Sequence, residues 1–206
     1  MKVAKKKQLK IAIALGAGSG LRISEIVGQK QRYSKCCSAE LTTKIFINKI
    51  TRQRRKRTLC TKCNNKINKE TDTFLSKKEN DWAIPPLSRD GINLEAHQIK
   101  VVQGKGKKDR ITVTSKWLNE NNVKYLPLKI PQRTLQYNFT QLCKKVLGKP
   151  CNFHMLRHAF GNYMVNEKNV PIPMVQQLMG HTRIETTGVY TKANPKQAIE
   201  RAWEAF

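Results

Sequence analysis

Apolar positions recur at helical spacing over residues 3–15 and resume in "LRISEIVG" at 21–28, after the glycine-rich "GAGSG" of 16–20. The pattern predicts two helices joined by a break at 16–20, with Arg22 at the turn-to-helix junction. Turn residues crowd "WAIPPLSRDGINLE". After them, the β-prone runs "HQIKVVQ" and "RITVT" flank "GKGKKD", which reads as a hairpin with Lys105 at its tip. The rest is helical. "PQRTLQYNFTQLCKKVLG" sets Leu135, Phe139, Leu142, Val146 and Leu147 on one face, with Pro131 to open the helix and Gly148 to end it. "FHMLRHAFGNYMVNEKN" and "IPMVQQLMG" predict two more helices, and "NPKQAIERAWEAF" a short amphipathic one striped by Ile199, Trp203 and Phe206. No internal repeat is visible. The expected fold class is α+β: mostly α, with a small antiparallel β-hairpin or sheet.

Charge changes this picture in one region. The 206 residues carry 40 Lys and Arg against 14 Asp and Glu, a formal net charge of +26. Residues 30–80 hold 15 of those cations and 4 of the acids, and so read as an inserted basic lobe. Such an excess calls for a polyanion, and nucleic acid is the first candidate. A membrane surface is the weaker one, because no long amphipathic helix concentrates the charge. The lysines before "IAIALGAGSGL" imitate a signal peptide, but the apolar run soon meets glycines, and no run approaches the ~18 apolar residues of a membrane span. An intracellular, cytoplasmic protein is expected. The six cysteines agree: "CTKC" and scattered thiols suit metal binding better than a disulfide framework.

A phosphodiester substrate gives the remaining residues a shared chemistry. Attack on phosphorus places negative charge on non-bridging oxygens, which arginine forks hold through paired hydrogen bonds. Arg22 and Arg157 are candidates. His154 lies one helical turn before Arg157, and His181 follows a glycine. Lys105, a mobile ammonium, suits protonation of a leaving oxygen, and Tyr190 is then the nucleophile, activated by the surrounding cations. Catalysis in this scheme needs no cofactor. Taken singly, each residue has an ordinary packing or surface role; His158 and Tyr163, beside Arg157, are read as structural.

Taken in order, the segments "GAGSGLRISEIVG", "VVQGKGKKDR", "HMLRHAFGNYM" and "VQQLMGHTRIETTGVYTK", with the terminal helix, resemble the catalytic domain of tyrosine recombinases. These are the integrases of phages and archaeal viruses and the enzymes of chromosome-dimer resolution. The resemblance implies that Arg22, Lys105, His154, Arg157, His181 and Tyr190 fill six active-site positions and that Glu25 braces Arg22. It implies cleavage of double-stranded DNA through a 3′-phosphotyrosine, strand exchange by a homo-oligomer of four protomers, and a terminal helix that docks on a neighbour. The competing functions are a nicking-closing topoisomerase and a zinc-containing nucleic-acid-binding protein without catalysis.

Two departures from the family stand out. Only 21 residues precede Arg22, so the N-terminal helical clamp domain of relatives is expected to be absent, and residues 1–206 to form the catalytic domain alone. The lobe at 30–80 is the second. Its Cys36, Cys37, Cys60 and Cys63 offer a structural zinc site in a zinc-ribbon-like lobe, with free thiols as the alternative. Adjacent Cys36 and Cys37 form an irregular half-site, expected to chelate with strain. Between the pairs, Arg52, Arg54, Arg55, Lys56 and Arg57 are expected to contact DNA phosphates in place of the missing clamp.

Overall fold

A computed structural model describes residues 2–47, 53–102 and 109–180, with side chains from residue 6 onward. The chain divides into two compact units: residues 29–83, and residues 1–28 together with 84–206.

The unit at 29–83 is a β lobe. Strands β1 (Gln29–Lys30) and β6 (Trp82–Ile84) pair, as do β2 (Arg32–Ser34) with β5 (Thr73–Leu75) and β3 (Leu41–Ile47) with β4 (Arg54–Cys60). Side chains tie the chain ends of the lobe together. Lys30 lies 4.0 Å from the Trp82 ring centroid, and the Tyr33 hydroxyl donates to Asp81 at 2.9 Å. The lobe buries little apolar surface: among its described residues, the buried hydrophobic side chains are Leu59, Cys60 and Ile67. A core this small does not by itself offset the chain entropy of ordering the lobe.

The larger unit is built on helices. Its elements are α1 (Lys2–Ser19), α2 (Ile23–Val27), a three-stranded antiparallel sheet of β7 (Ile92–Asn93), β8 (Gln98–Val101) and β9 (Arg110–Val113), then α3 (Glu120–Val123), α4 (Gln132–Leu147), α5 (His154–Asn162) and α6 (Ile172–Met179). The expected hairpin is thus widened by one short strand; β8 and β9 pair from Gln98–Val113 to Val101–Arg110. Ile11 and Leu15 of α1, Ile26, Ile99, Leu135, Phe139 and Phe153 form the main core, where the Phe139 and Phe153 rings meet edge-on with centroids 5.3 Å apart. A smaller cluster joins Phe160 of α5 to Val175 and Met179 of α6.

Two helix expectations need correction. The glycines at 16 and 18 do not break the first helix: α1 runs through them to Ser19. They are small because α1 packs closely there. A Cβ on Gly16 would lie 3.0 Å from the Phe153 ring, and one on Gly18 would lie 2.6 Å from Ser115 Cβ. The chain turns instead at Gly20, whose φ is +66°. On α4, Pro131 and the left-handed Gly148 bound the helix as expected, but the buried stripe is Leu135, Phe139 and Cys143. Val146 and Leu147 are 68% and 58% exposed, because the helix continues beyond the core that covers its earlier turns.

Candidate active site and cysteine cluster

The larger unit centres its polar chemistry on Glu25, whose side chain is fully buried. Glu25 sits in the first turn of α2, and its carboxylate accepts from the Arg22 backbone N–H and from Arg22 Nη1, both at 2.8 Å. The pairing of Glu25 with Arg22 implied by the resemblance is therefore present. A second arginine meets the same carboxylate: Arg110 Nη1 and Nη2 donate to Oε1 and Oε2, each at 2.8 Å, in a bidentate fork. Burial alone would raise the Glu25 pKa. The Arg110 hydrogen bonds and charge, with the Arg22 N–H and charge, outweigh that and hold it at about 2.

Both ends of this arrangement reach α6. Arg110 Nε donates to the carbonyl of Leu178 at 3.0 Å. Arg157, 1% exposed, donates through Nη2 to the carbonyl of Met179 and through Nη1 to that of Gly20 at 2.5 Å. Carbonyls at a helix C-terminus carry the negative end of the helix dipole, which suits two guanidinium groups. Gly20 lies two residues before Arg22, so the contacts form a closed circuit: Arg22, Glu25, Arg110, the end of α6, Arg157, Gly20.

That circuit gathers two of the six expected catalytic residues. His154 opens α5 and is exposed, its ring 4.6 Å from that of His158 and nearly perpendicular to it. His158 and Tyr163 also stand at the surface. Lys105, His181 and Tyr190 lie outside the described residues, as do Arg52 and the stripe of Ile199, Trp203 and Phe206. Sequence reasoning missed Arg110. Its signal was indirect: a glutamate buried in the first turn of α2 needs more positive charge than the one neighbouring arginine supplies.

In the lobe, the Sγ atoms of Cys36, Cys37, Cys60 and Cys63 all lie within 4.8 Å of one another. Two turns bring them together. Cys36 and Cys37 follow β2 in a turn where Ser38 adopts φ +48°, and Cys60 ends β4 ahead of Asn64 at φ +56°. Ser38 is left-handed immediately after the adjacent Cys36 and Cys37. The Ser34 hydroxyl, 3.2 Å away, and the backbone N–H groups of Cys63 and Lys62 pull the Cys60 thiol down to about 6. Cys37 is pushed up to about 12, first by its hydrogen bond to Cys63 and then by burial. Four sulfurs this close repel one another as thiolates unless a cation lies among them. Zinc–sulfur bonds of about 2.3 Å in a tetrahedron give sulfur–sulfur edges of about 3.8 Å, and the Cys36–Cys63 separation is 3.6 Å. The donor set and its dimensions fit a structural zinc ion.

Residues 126–197 match the family model described as the phage integrase family. Over 137 residues the chain is 33% identical to tyrosine recombinase XerA of Pyrococcus horikoshii, covering 56% of this chain and 47% of that protein. It is 28% identical over 123 residues to tyrosine recombinase XerC of Pseudomonas fluorescens, covering 51% and 40% respectively. The chain thus spans less than half the length of these curated relatives. Its fold is similar to the crystal structure of XerA recombinase, with a TM-score of 0.52 at 17% identity over 100% of this chain and 64% of that one. It is also similar to XerH in a post-cleavage complex with a palindromic difH substrate, with a TM-score of 0.54 at 16% identity over 99% and 48%. The match to the phage integrase family is confined to residues 126–197, and the chain is similar to tyrosine recombinases, among them the archaeal XerA proteins.

Proposed function

We propose that this chain is a site-specific DNA recombinase that cleaves and rejoins double-stranded DNA through a 3′-phosphotyrosine intermediate. The observation that carries this reading is the circuit joining Arg22 to Arg157 through Glu25, Arg110 and the end of α6. It links two guanidinium groups from distant parts of the sequence through one set of hydrogen bonds, and their chemistry suits a phosphorus centre.

In the proposed reaction the Tyr190 phenolic oxygen attacks phosphorus, its proton passing to an acceptor in the site. The P–O5′ bond breaks, and Lys105 gives a proton to the departing oxygen, releasing a 5′-hydroxyl. Arg22 and Arg157, with His154 and His181, stabilise the charge on the non-bridging oxygens. A 5′-hydroxyl from the partner duplex then attacks the phosphotyrosine and frees Tyr190. The number of phosphodiester bonds is conserved, so no external energy source or catalytic cofactor is required. Four protomers cooperate on the DNA, and Ile199, Trp203 and Phe206 dock on a neighbour.

The lobe serves the same reaction as a DNA grip. Cys36, Cys37, Cys60 and Cys63 hold a structural zinc that compensates for its small core, and Arg52, Arg54, Arg55, Lys56 and Arg57 contact phosphates. The test is a nicked suicide duplex. A covalent protein–DNA adduct with the native chain and none with Tyr190→Phe is the expected result; adduct formation by both chains would reject Tyr190. Exchange between two duplexes, rather than relaxation of one, separates a recombinase from a nicking-closing enzyme.

A further inference from the structure

The β3–β4 ribbon has a composition and exposure that phosphate contact alone does not call for. Its strands pair Thr42 with Leu59, Lys44 with Arg57 and Phe46 with Arg55 on one face, and Thr43 with Thr58, Ile45 with Lys56 and Ile47 with Arg54 on the other. Toward Ile47 and Arg54, residues on both faces are exposed; Ile45, Phe46 and Ile47 are 59%, 37% and 56% exposed. A two-stranded ribbon bare on both sides has no core to serve at that end. Neither strand contains an acid, while the outer half carries Lys44, Arg54, Arg55, Lys56 and Arg57.

We infer that this ribbon is a base-reading element that enters the major groove of duplex DNA. A major groove about 12 Å wide admits a two-stranded ribbon, whose strands lie about 4.8 Å apart. One face then meets the base edges, while the cations of the other face lie near the phosphate walls. The reading face is that of Lys44, Phe46, Arg55 and Arg57. Arg57 stacks on Phe46, with its guanidinium carbon 4.8 Å from the ring centroid, which orients the fork before DNA arrives. Two arginine forks on one face match the O6 and N7 acceptors of guanine, and the aromatic ring on the facing strand suits a thymine methyl. The opposite face, with Arg54 and Lys56, contributes charge without reading.

This inference rests on the reading that the lobe holds DNA, and the experiment separates the two. The full chain is used to enrich binders from a pool of duplexes with a randomised core, beside the variants Arg55→Ala/Arg57→Ala and Arg54→Ala/Lys56→Ala. All four side chains are exposed, and an unchanged melting temperature and zinc content check that the lobe remains folded. The native chain is expected to enrich a motif. Arg55→Ala/Arg57→Ala loses preference at the contacted base pairs by roughly tenfold per position. Arg54→Ala/Lys56→Ala keeps those preferences and weakens all binding, with the salt slope falling by about 1 per lost phosphate contact. A native chain that enriches no motif, or an Arg55→Ala/Arg57→Ala variant that keeps every preference while its salt slope falls, overturns base reading and leaves the DNA grip standing. Variants that change neither affinity nor slope overturn both.

Discussion

Arg110 grips the Glu25 carboxylate with both Nη atoms at 2.8 Å, while the same carboxylate holds Arg22. Glu25→Gln leaves the Arg110 fork, with a side chain 9% exposed, facing a neutral amide. The expected cost is about 3 kcal/mol of folding stability, since removing one partner of a buried pair strands the other charge. Arg110→Lys keeps the charge and loses the fork. It should lower the cleavage rate on a suicide substrate more than it lowers affinity for DNA, because it disturbs the placement of Arg22. Denaturant melts and single-turnover rates check the two halves separately.

Acid should unfold the larger unit through Glu25. Its carboxyl is held at about 2 when folded, against an ordinary value of 4.5. The stabilisation, of order 3 kcal/mol, is complete above the unfolded value and is lost as pH falls from 4.5 toward 2. Stability measured across that range should fall in the native chain and fall less steeply in Glu25→Gln.

The glycine at 20 should not tolerate a side chain. Its φ of +66° is in the left-handed region, and a Cβ would meet the Phe160 ring at 2.5 Å. Gly20→Ala is expected to cost about 3 kcal/mol from strain and overpacking combined. Gly148→Ala is the control. Its φ is +70° with nothing within 4 Å of a Cβ, so only the backbone penalty of about 1 kcal/mol applies.

On the proposed zinc site, removal of metal should unfold the lobe selectively. Chelation, or Cys60→Ser, is expected to raise proteolysis within 29–83 while the melting of the larger unit changes little. Deleting residues 30–80 should weaken DNA binding and flatten its dependence on salt; an unchanged slope would show that the lobe does not touch phosphate.

Local patterns were legible where local physics decides them. Pro131 and Gly148 bounded α4 because helix ends have their own chemistry, and β-prone composition located the strands before and after residues 103–108. What escaped depended on neighbours distant in sequence. A glycine that breaks a helix and one that admits Phe153 against it look alike in the chain, so α1 seemed shorter than it is. Val146 repeats at the right interval to be buried, but periodicity says nothing about where the covering core stops. Arg110 reads as one more cation after a basic turn; only the fold, 85 residues back along the chain, gives it a carboxylate. Among the cysteines, spacing suggested a group, but only the folded lobe brings the sulfurs at 36 and 37 to those at 60 and 63.

The carbonyls of Leu178 and Met179 are each clasped by an arginine, so the chain leaves α6 at Gly180 from an anchored point. Ten residues separate that anchor from Tyr190, a leash of at most about 35 Å when fully drawn out. That length sets an outer limit on the distance between Tyr190 and the arginines held at the end of α6, so the clasp at Leu178 and Met179 fixes the point from which the distance is counted.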